Sequence, residues 1–168
     1  MKLRHGAPED SEKFLELMKQ LDQETEFMML EPGERTSTAE DMETYINNLA
    51  KSNSLLLLLD DGEQAAGFLS AARGTANRTK HSAYLVTGIR KDYRGKGYGQ
   101  ALFKELDKWA IKSGITRLEL TVMTHNERAV HLYEKMGFKI EGTLVRSMMV
   151  NGICVDQYCM AKILPERV

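Results

Sequence analysis

The 168-residue sequence predicts an α/β fold in three layers, α-β-α, around a mixed and largely antiparallel sheet. Three observations carry this. Residues 55–59 are five leucines in a row, which leaves the strand no polar face and requires cover on both sides. Stretches with helical spacing alternate with short strand-like runs. Two turn signals, Asp60-Asp61-Gly62 and Asn151-Gly152, mark hairpins, and a hairpin joins antiparallel strands.

Taken in order, residues 2–5 form a short extended start. Pro8 stands at a first helical position with Glu9, Asp10 and Glu12 behind it, and Phe14, Leu15, Met18 and Leu21 follow at helical spacing to about Gln23. A second helix begins near Ser37 or Thr38, where Ser37 and Glu40 have capping-box spacing, and carries Met42, Tyr45, Ile46 and Leu49 on one face. The connection, residues 24–35, contains the apolar cluster Phe27, Met28, Met29 and Leu30, unusual for a loop; it fits a tuck into the core, a dimer contact or a substrate-pocket lining. Strands follow at 55–59, 65–72 and 82–89. A helix over 97–113 stops at Gly114, and residues 116–123 alternate as a strand. Asn126 caps a short helix that ends at Gly137, and strands at 143–150 and 153–160 close the chain as a hairpin.

Length and composition indicate one domain over residues 1–168: 42% of the residues are hydrophobic and 28% charged, with no biased tract or repeat. Twenty-three basic against 24 acidic side chains argue against non-specific nucleic-acid binding, which needs a basic excess. Cys154 and Cys159 are too few for a disulfide framework or a zinc site, and five residues apart in a strand they face opposite sides. No apolar run reaches the roughly 20 residues of a membrane span. The expected address is therefore cytoplasmic, with no membrane partner and no metal.

The stretch 85–99, Leu-Val-Thr-Gly-Ile-Arg-Lys-Asp-Tyr-Arg-Gly-Lys-Gly-Tyr-Gly, runs from a strand through a glycine-rich, basic turn into an amphipathic helix. Gly95, Gly97 and Gly99 allow a sharp turn and a close approach to the amides, and the first helical turn presents unpaired N–H groups at the positive end of its dipole. That combination suits a phosphate or pyrophosphate. Arg90, Lys91, Arg94 and Lys96 add positive charge, although any one of them could equally belong to a solvated face. Neither a P-loop nor a dinucleotide fingerprint fits the spacing, since Gln100 stands where the latter needs glycine. The pattern Arg/Gln-x-x-Gly-x-Gly/Ala does fit, filled by Arg94, Gly97 and Gly99.

With that turn, and with the block Asn126, Ala129, Leu132, Tyr133, Glu134, Lys135, Gly137 and Phe138 at Asn-x-x-Ala-x-x-Leu-Tyr-Glu-Lys-x-Gly-Phe spacing, the chain resembles the GNAT superfamily of N-acetyltransferases. The resemblance implies a GNAT-like sandwich and acetyl-CoA as acetyl donor. It implies that Arg94, Gly95, Lys96, Gly97, Tyr98 and Gly99 cradle the pyrophosphate and that the strand at Thr87, Gly88 and Ile89 pairs with the pantetheine arm. Gly88 inside a strand independently suggests a bulge or a close backbone approach. Asn126 caps its helix by sequence and touches pantetheine by resemblance. Tyr133 takes the position of the acid that protonates the leaving sulfur, and the amides at 87–89 that of the oxyanion donor.

The implied reaction is direct attack of a primary amine on the thioester through a tetrahedral intermediate. Neither cysteine has a local histidine that would make it a nucleophile. The general base stays open among Glu119, His81, His125 and a water chain; Glu119, the one strand carboxylate at hand, also suits a pairing with Arg117. The acceptor is a small-molecule amine or a protein amino group, and Asp22, Glu24, Glu26, Glu31 and Glu34 either attract a cationic amine or form a solvated face. A homodimer is a family habit that the apolar loop could serve. Two other classes are carried beside the enzyme: a non-catalytic acyl-CoA-binding sensor on the same fold, and a nucleotide-binding regulator.

Overall fold

A computed structural model describes residues 1–166. In chain order the strands are β1 (Lys2–His5), β2 (Leu55–Asp60), β3 (Ala65–Arg73), β4 (Ser82–Ile89), β5 (Arg117–Met123), β6 (Lys139–Val150) and β7 (Ile153–Ile163). The helices are α1 (Ser11–Glu24), α2 (Ala39–Lys51), α3 (Tyr98–Ser113) and α4 (Glu127–Lys135). One seven-stranded sheet runs in the order β1-β2-β3-β4-β5-β7-β6, and every neighbouring pair is antiparallel except β4 with β5.

The leucine run of β2 behaves as its composition requires. Leu55, Leu57 and Leu59 enter one core, with Leu102, Phe103 and Leu106 of α3 and Tyr133 of α4, while Leu56 and Leu58 enter a second, with Phe14, Leu17 and Leu21 of α1 and Ile46 of α2. Strand alternation thus sends one apolar string into both layers, at roughly 1.5–3 kcal/mol per buried leucine.

Two local readings need correction. Pro8 opens a separate 3-10 turn, Pro8–Asp10, and the α-helix starts only at Ser11. The capping box of α2 is formed by Thr38 and Asp41, not Ser37 and Glu40: Thr38 Oγ1 accepts from the Asp41 amide at 3.2 Å, and Asp41 accepts from the Thr38 amide at 2.8 Å. The same box spacing occurs one residue earlier, so spacing alone does not separate the two.

The parallel pair positions the site. β4 and β5 are in register only from Ser82↔Arg117 to Tyr84↔Glu119; beyond that they part, β4 staying with β3 and β5 with β7. The gap opens towards the start of α3 and the start of α4. Far from it, Arg4 forks between Asp10 (2.7 Å) and Asp60 (2.8 Å), fastening β1 and β2 to the entry of α1.

Candidate active site

A cleft of about 990 Å³ occupies the gap and passes through the plane of the sheet. On one side it is walled by Leu85, Thr87, Ile89, Leu120, Leu132 and Tyr133, and on the other by residues of α1, α2 and the loop 25–38.

At the end near α3 the chain turns on Gly95 (φ 73°) and Gly97 (φ 85°), left-handed conformations that glycine adopts without strain. Gly97 is the N-cap of α3 and no side chain caps the helix. The first amide to bond back is that of Ala101, to the Gly97 carbonyl at 3.1 Å, so the amides of Tyr98, Gly99 and Gln100 have no intrahelical partner. No acidic residue stands in that turn. The arrangement is an anion site on physical grounds.

The basic side chains divide. Arg94 lines the cleft and donates through Nε to the Ile89 carbonyl (2.9 Å), tying the turn to β4. Lys96 leaves the cleft to lie over the Tyr93 ring, 5.7 Å from its centroid, and the Tyr98 side chain packs against the core. Arg90 donates to Gln64, and the Lys91 amide donates to Glu24 at 2.7 Å. A cation that sequence reasoning missed joins the site: Arg128, in the first turn of α4, brings Nη2 to within 3.1 Å of where a Cβ on Gly95 would lie. Its signal was its place two residues after the Asn126 cap. Gly99 is bare for another reason, since a Cβ there would meet Leu132 Cδ2 at 2.9 Å; it lets α3 and α4 close on each other.

Along β4 the bulge suggested by Gly88 is absent, for β3 and β4 pair without a shift from Gly67↔Ile89 to Arg73↔Ala83. The close approach is real, but the neighbour is Leu21 of α1, whose Cδ1 would stand 2.8 Å from a Cβ on Gly88. The Arg90 amide donates to Ala66, which sets the ladder's alternation: Gly88 and Val86 exchange bonds with Phe68 and Ser70. The amides of Thr87 and Ile89 therefore face the opposite edge, into the gap left by β5. Thr87 Oγ1 is already bonded, donating to the Phe68 carbonyl at 2.8 Å.

Tyr133 lies on the α3/α4 side of the cleft, 8% exposed, with its ring against Phe103 (5.5 Å) and Phe138 (6.2 Å). Its hydroxyl makes no hydrogen bond to another described residue, and the residue lines the cleft. Burial pushes the phenol up to about 12, with a smaller contribution from nearby Tyr84. It is a neutral donor throughout the physiological range. Asn126 also lines the cleft and caps α4, accepting from the Ala129 amide at 3.4 Å.

On the opposite face Tyr84 Oη and Thr121 Oγ1 are 2.7 Å apart, and Gln157 Nε2 donates to the same Thr121 oxygen at 3.4 Å. Glu119 is held by Arg117 at 2.9 Å and, like His81 and His125, is outside the cleft lining. His125 instead meets the loop 25–38: its Nε2 is 2.9 Å from Glu26 and its ring 5.1 Å from that of Phe27. The loop's base is tied by Arg35, which donates twice to the buried Asp22 at 2.7 and 3.0 Å. The apolar cluster of the loop, Phe27, Met28, Met29 and Leu30, faces the cleft, and Met28 also packs on the α1/α2 core.

The acids read as an attracting surface are mostly engaged. Asp22 is taken by Arg35, Glu24 by the Lys91 amide and Glu26 by His125, while Glu31 and Glu34 are exposed outside the cleft lining. Among the described residues no helix is long and apolar enough to cross a membrane, and both cysteines are free.

The model of the Acetyltransferase (GNAT) family matches residues 15–138. The structure of an acetyltransferase of the GNAT family from Streptococcus pneumoniae is similar over 97% of this chain and 99% of its own, with TM-score 0.92 and 34% identity. The yncA structure from Salmonella typhimurium, solved with its cofactor acetyl-CoA, shares the fold: TM-score 0.88 at 16% identity, covering 100% of this chain and 96% of its own. The L-amino acid N-acetyltransferase AaaT of Escherichia coli (strain K12) is 34% identical over 90 residues, 51% of this chain and 54% of its own. The chain spans little more than half the length of the curated relatives it matches first. The uncapped helix, the parted strands and the family match over more than half of the sequence lead to one statement: the chain belongs to the Acetyltransferase (GNAT) family.

Proposed function

We propose that the protein is an N-acetyltransferase that moves the acetyl group of acetyl-CoA to a primary amine by direct attack. A C–N bond forms, the C–S bond breaks, the amine loses a proton and coenzyme A leaves as its thiol. The observation that carries this reading is the meeting, in one cleft, of the uncapped start of α3, the unpaired edge of β4 and the unpartnered hydroxyl of Tyr133. The name of AaaT and the acetyl-CoA bound in the yncA structure support it.

The residues fit the donor. The amides of Tyr98, Gly99 and Gln100, with Arg128 and Arg94 beside them, would hold the pyrophosphate, because the turn has no acid to repel it. The amides of Thr87 and Ile89 would bond the pantetheine arm as a further strand would, with Asn126 alongside. Bound there, acetyl-CoA supplies an activated thioester carbonyl and a sulfur leaving group.

The remaining work belongs to the side chains. Tyr133 keeps its proton, held at about 12 by burial. A thiol ionises at about 8.5, so the phenol acts first as a hydrogen-bond donor to developing negative charge on sulfur. For the amine's proton, Tyr84, Thr121 and Gln157 form a polar chain on the acceptor side. Asp41, the one carboxylate in the lining, is already bonded to the Thr38 amide.

Release of free thiol from acetyl-CoA in the presence of an amine panel tests the activity, with calorimetric binding of acetyl-CoA beside it. Tyr133→Phe should retain binding and lose turnover. Unchanged acetyl transfer would remove Tyr133 from the mechanism, and binding without turnover in the unaltered protein would favour the sensor class.

A further inference from the structure

Two phenols line the cleft from opposite faces of the sheet, and their hydrogens are disposed differently. Tyr133, on the α3/α4 side, has a hydroxyl with no partner among the described residues, so its proton is free for a ligand. Tyr84, on the α1/α2 side, is committed: its Oη lies 2.7 Å from Thr121 Oγ1, which also accepts from Gln157 Nε2 at 3.4 Å. Either hydroxyl could donate in the shorter bond on geometry alone, and acidity decides between them. A phenol is far more acidic than an aliphatic alcohol, so the phenol is the better donor and the threonine oxygen the better acceptor. The Tyr84 proton therefore points at Thr121. Its oxygen keeps its lone pairs for the cleft, since no other hydrogen bond to a described residue takes them.

Position gives that oxygen its use. Tyr84 ends the paired stretch of β4 and β5, at Tyr84↔Glu119, so it stands where the strands part. The free amides of Thr87 and Ile89 begin three residues further on, about 10 Å along the strand. An arm bonded to them from the start of α3 would bring its reactive end towards this fork. Tyr133 is near enough across the fork for Tyr84 to act on its phenol electrostatically. A thioester whose sulfur meets Tyr133 thus has Tyr84 on its other side. An uncharged primary amine carries one lone pair and two N–H groups, and an acceptor for one N–H fixes where the lone pair points.

We infer that Tyr84 is a catalytic residue of the acyl transfer: its Oη accepts an N–H of the attacking amine and aims the nitrogen lone pair at the thioester carbon from the α1/α2 face. This rests on the acetyltransferase reading of the cleft. As the C–N bond forms and the C–S bond breaks, the N–H proton passes to Tyr84 Oη, the phenol's own proton to Thr121 Oγ1 and the threonine's to water. The proton given to water balances the one the leaving thiolate takes up, and no side chain ends charged. Gln157, which acts through Thr121, is a positioning residue. Thiol release from acetyl-CoA with spermidine, kanamycin, L-methionine, tyramine and an alanyl peptide tests this, beside calorimetry of acetyl-CoA binding. On the acceptor that the unaltered protein uses best, Tyr84→Phe should lower kcat about ten- to a hundredfold and leave acetyl-CoA affinity within about twofold. Thr121→Ala should lower kcat by a smaller factor, and Thr121→Ser should restore it. Full kcat in Tyr84→Phe would overturn the inference, and a loss in Asp41→Asn instead would pass the amine's proton to that carboxylate of the lining. A parallel fall of kcat and acetyl-CoA affinity in Tyr84→Phe would also overturn it, because that marks a residue which only holds the strands. No thiol release from the unaltered protein with any of these acceptors would overturn the acetyltransferase reading, and this inference with it.

Discussion

Tyr84 and Thr121 join hydroxyls at 2.7 Å across the strands that have just stopped pairing, so a side-chain bond takes over where the β4–β5 ladder ends. The two residues should therefore be energetically coupled. In a double-mutant cycle, Tyr84→Phe and Thr121→Ala are expected to be non-additive by about 0.5–1 kcal/mol in urea unfolding. Strict additivity would mean that the bond does not hold the strands.

Tyr133 should make the protein sensitive to alkali. Its folded-state value, about 12, lies above its ordinary value of 10.0, so the native state binds the phenolic proton more tightly than the unfolded chain. The contribution is complete below pH 10 and is lost as pH rises through 12. Denaturant titrations at pH 8 and near pH 11 should show a fall in stability of order 1–2 kcal/mol that Tyr133→Phe largely lacks.

Gly99→Ala should destabilise by about 1–3 kcal/mol through collision with Leu132, and the combination Gly99→Ala with Leu132→Val should recover part of that loss. Thermal unfolding of the single and double variants measures it. If Leu132→Val gives no recovery, the close approach of α3 and α4 is not the reason for the glycine.

Asp60 governs the acid side. The Gly62 amide, Arg4 and Lys13 all bond its carboxylate, which is held down at about 2 from an ordinary 3.8. Its stabilisation is present above pH 3.8 and disappears as pH falls through 2. Asp60→Asn should lower the urea midpoint clearly at pH 7 and much less near pH 2.

Arg128 should matter to anion binding alone. Its side chain is exposed at the glycine turn, so Arg128→Ala is expected to weaken coenzyme A binding about three- to tenfold, with the difference shrinking at high salt and thermal stability changed by less than about 0.5 kcal/mol. Calorimetry at two ionic strengths separates these effects.

Much of the layer plan was legible because the signals were local. Five consecutive leucines demand two covered faces, and Asn151-Gly152, with φ of 51° and 76°, makes the turn its sequence announces. The uncapped helix start could be read from Gly97 for the same reason. Other features depended on partners distant in sequence. Nothing near Gly88 points to Leu21, nothing near Gly99 to Leu132, and the charge sums around residues 22–34 are blind to Arg35, Lys91 and His125, which engage those acids.

The cleft is lined from both faces of the sheet, by the starts of α3 and α4 on one and by α1, α2 and the loop that joins them on the other. Two ligands, each held by the elements of one face, could meet head to head within it. That is the topological condition for a ternary complex, which the direct transfer proposed above requires.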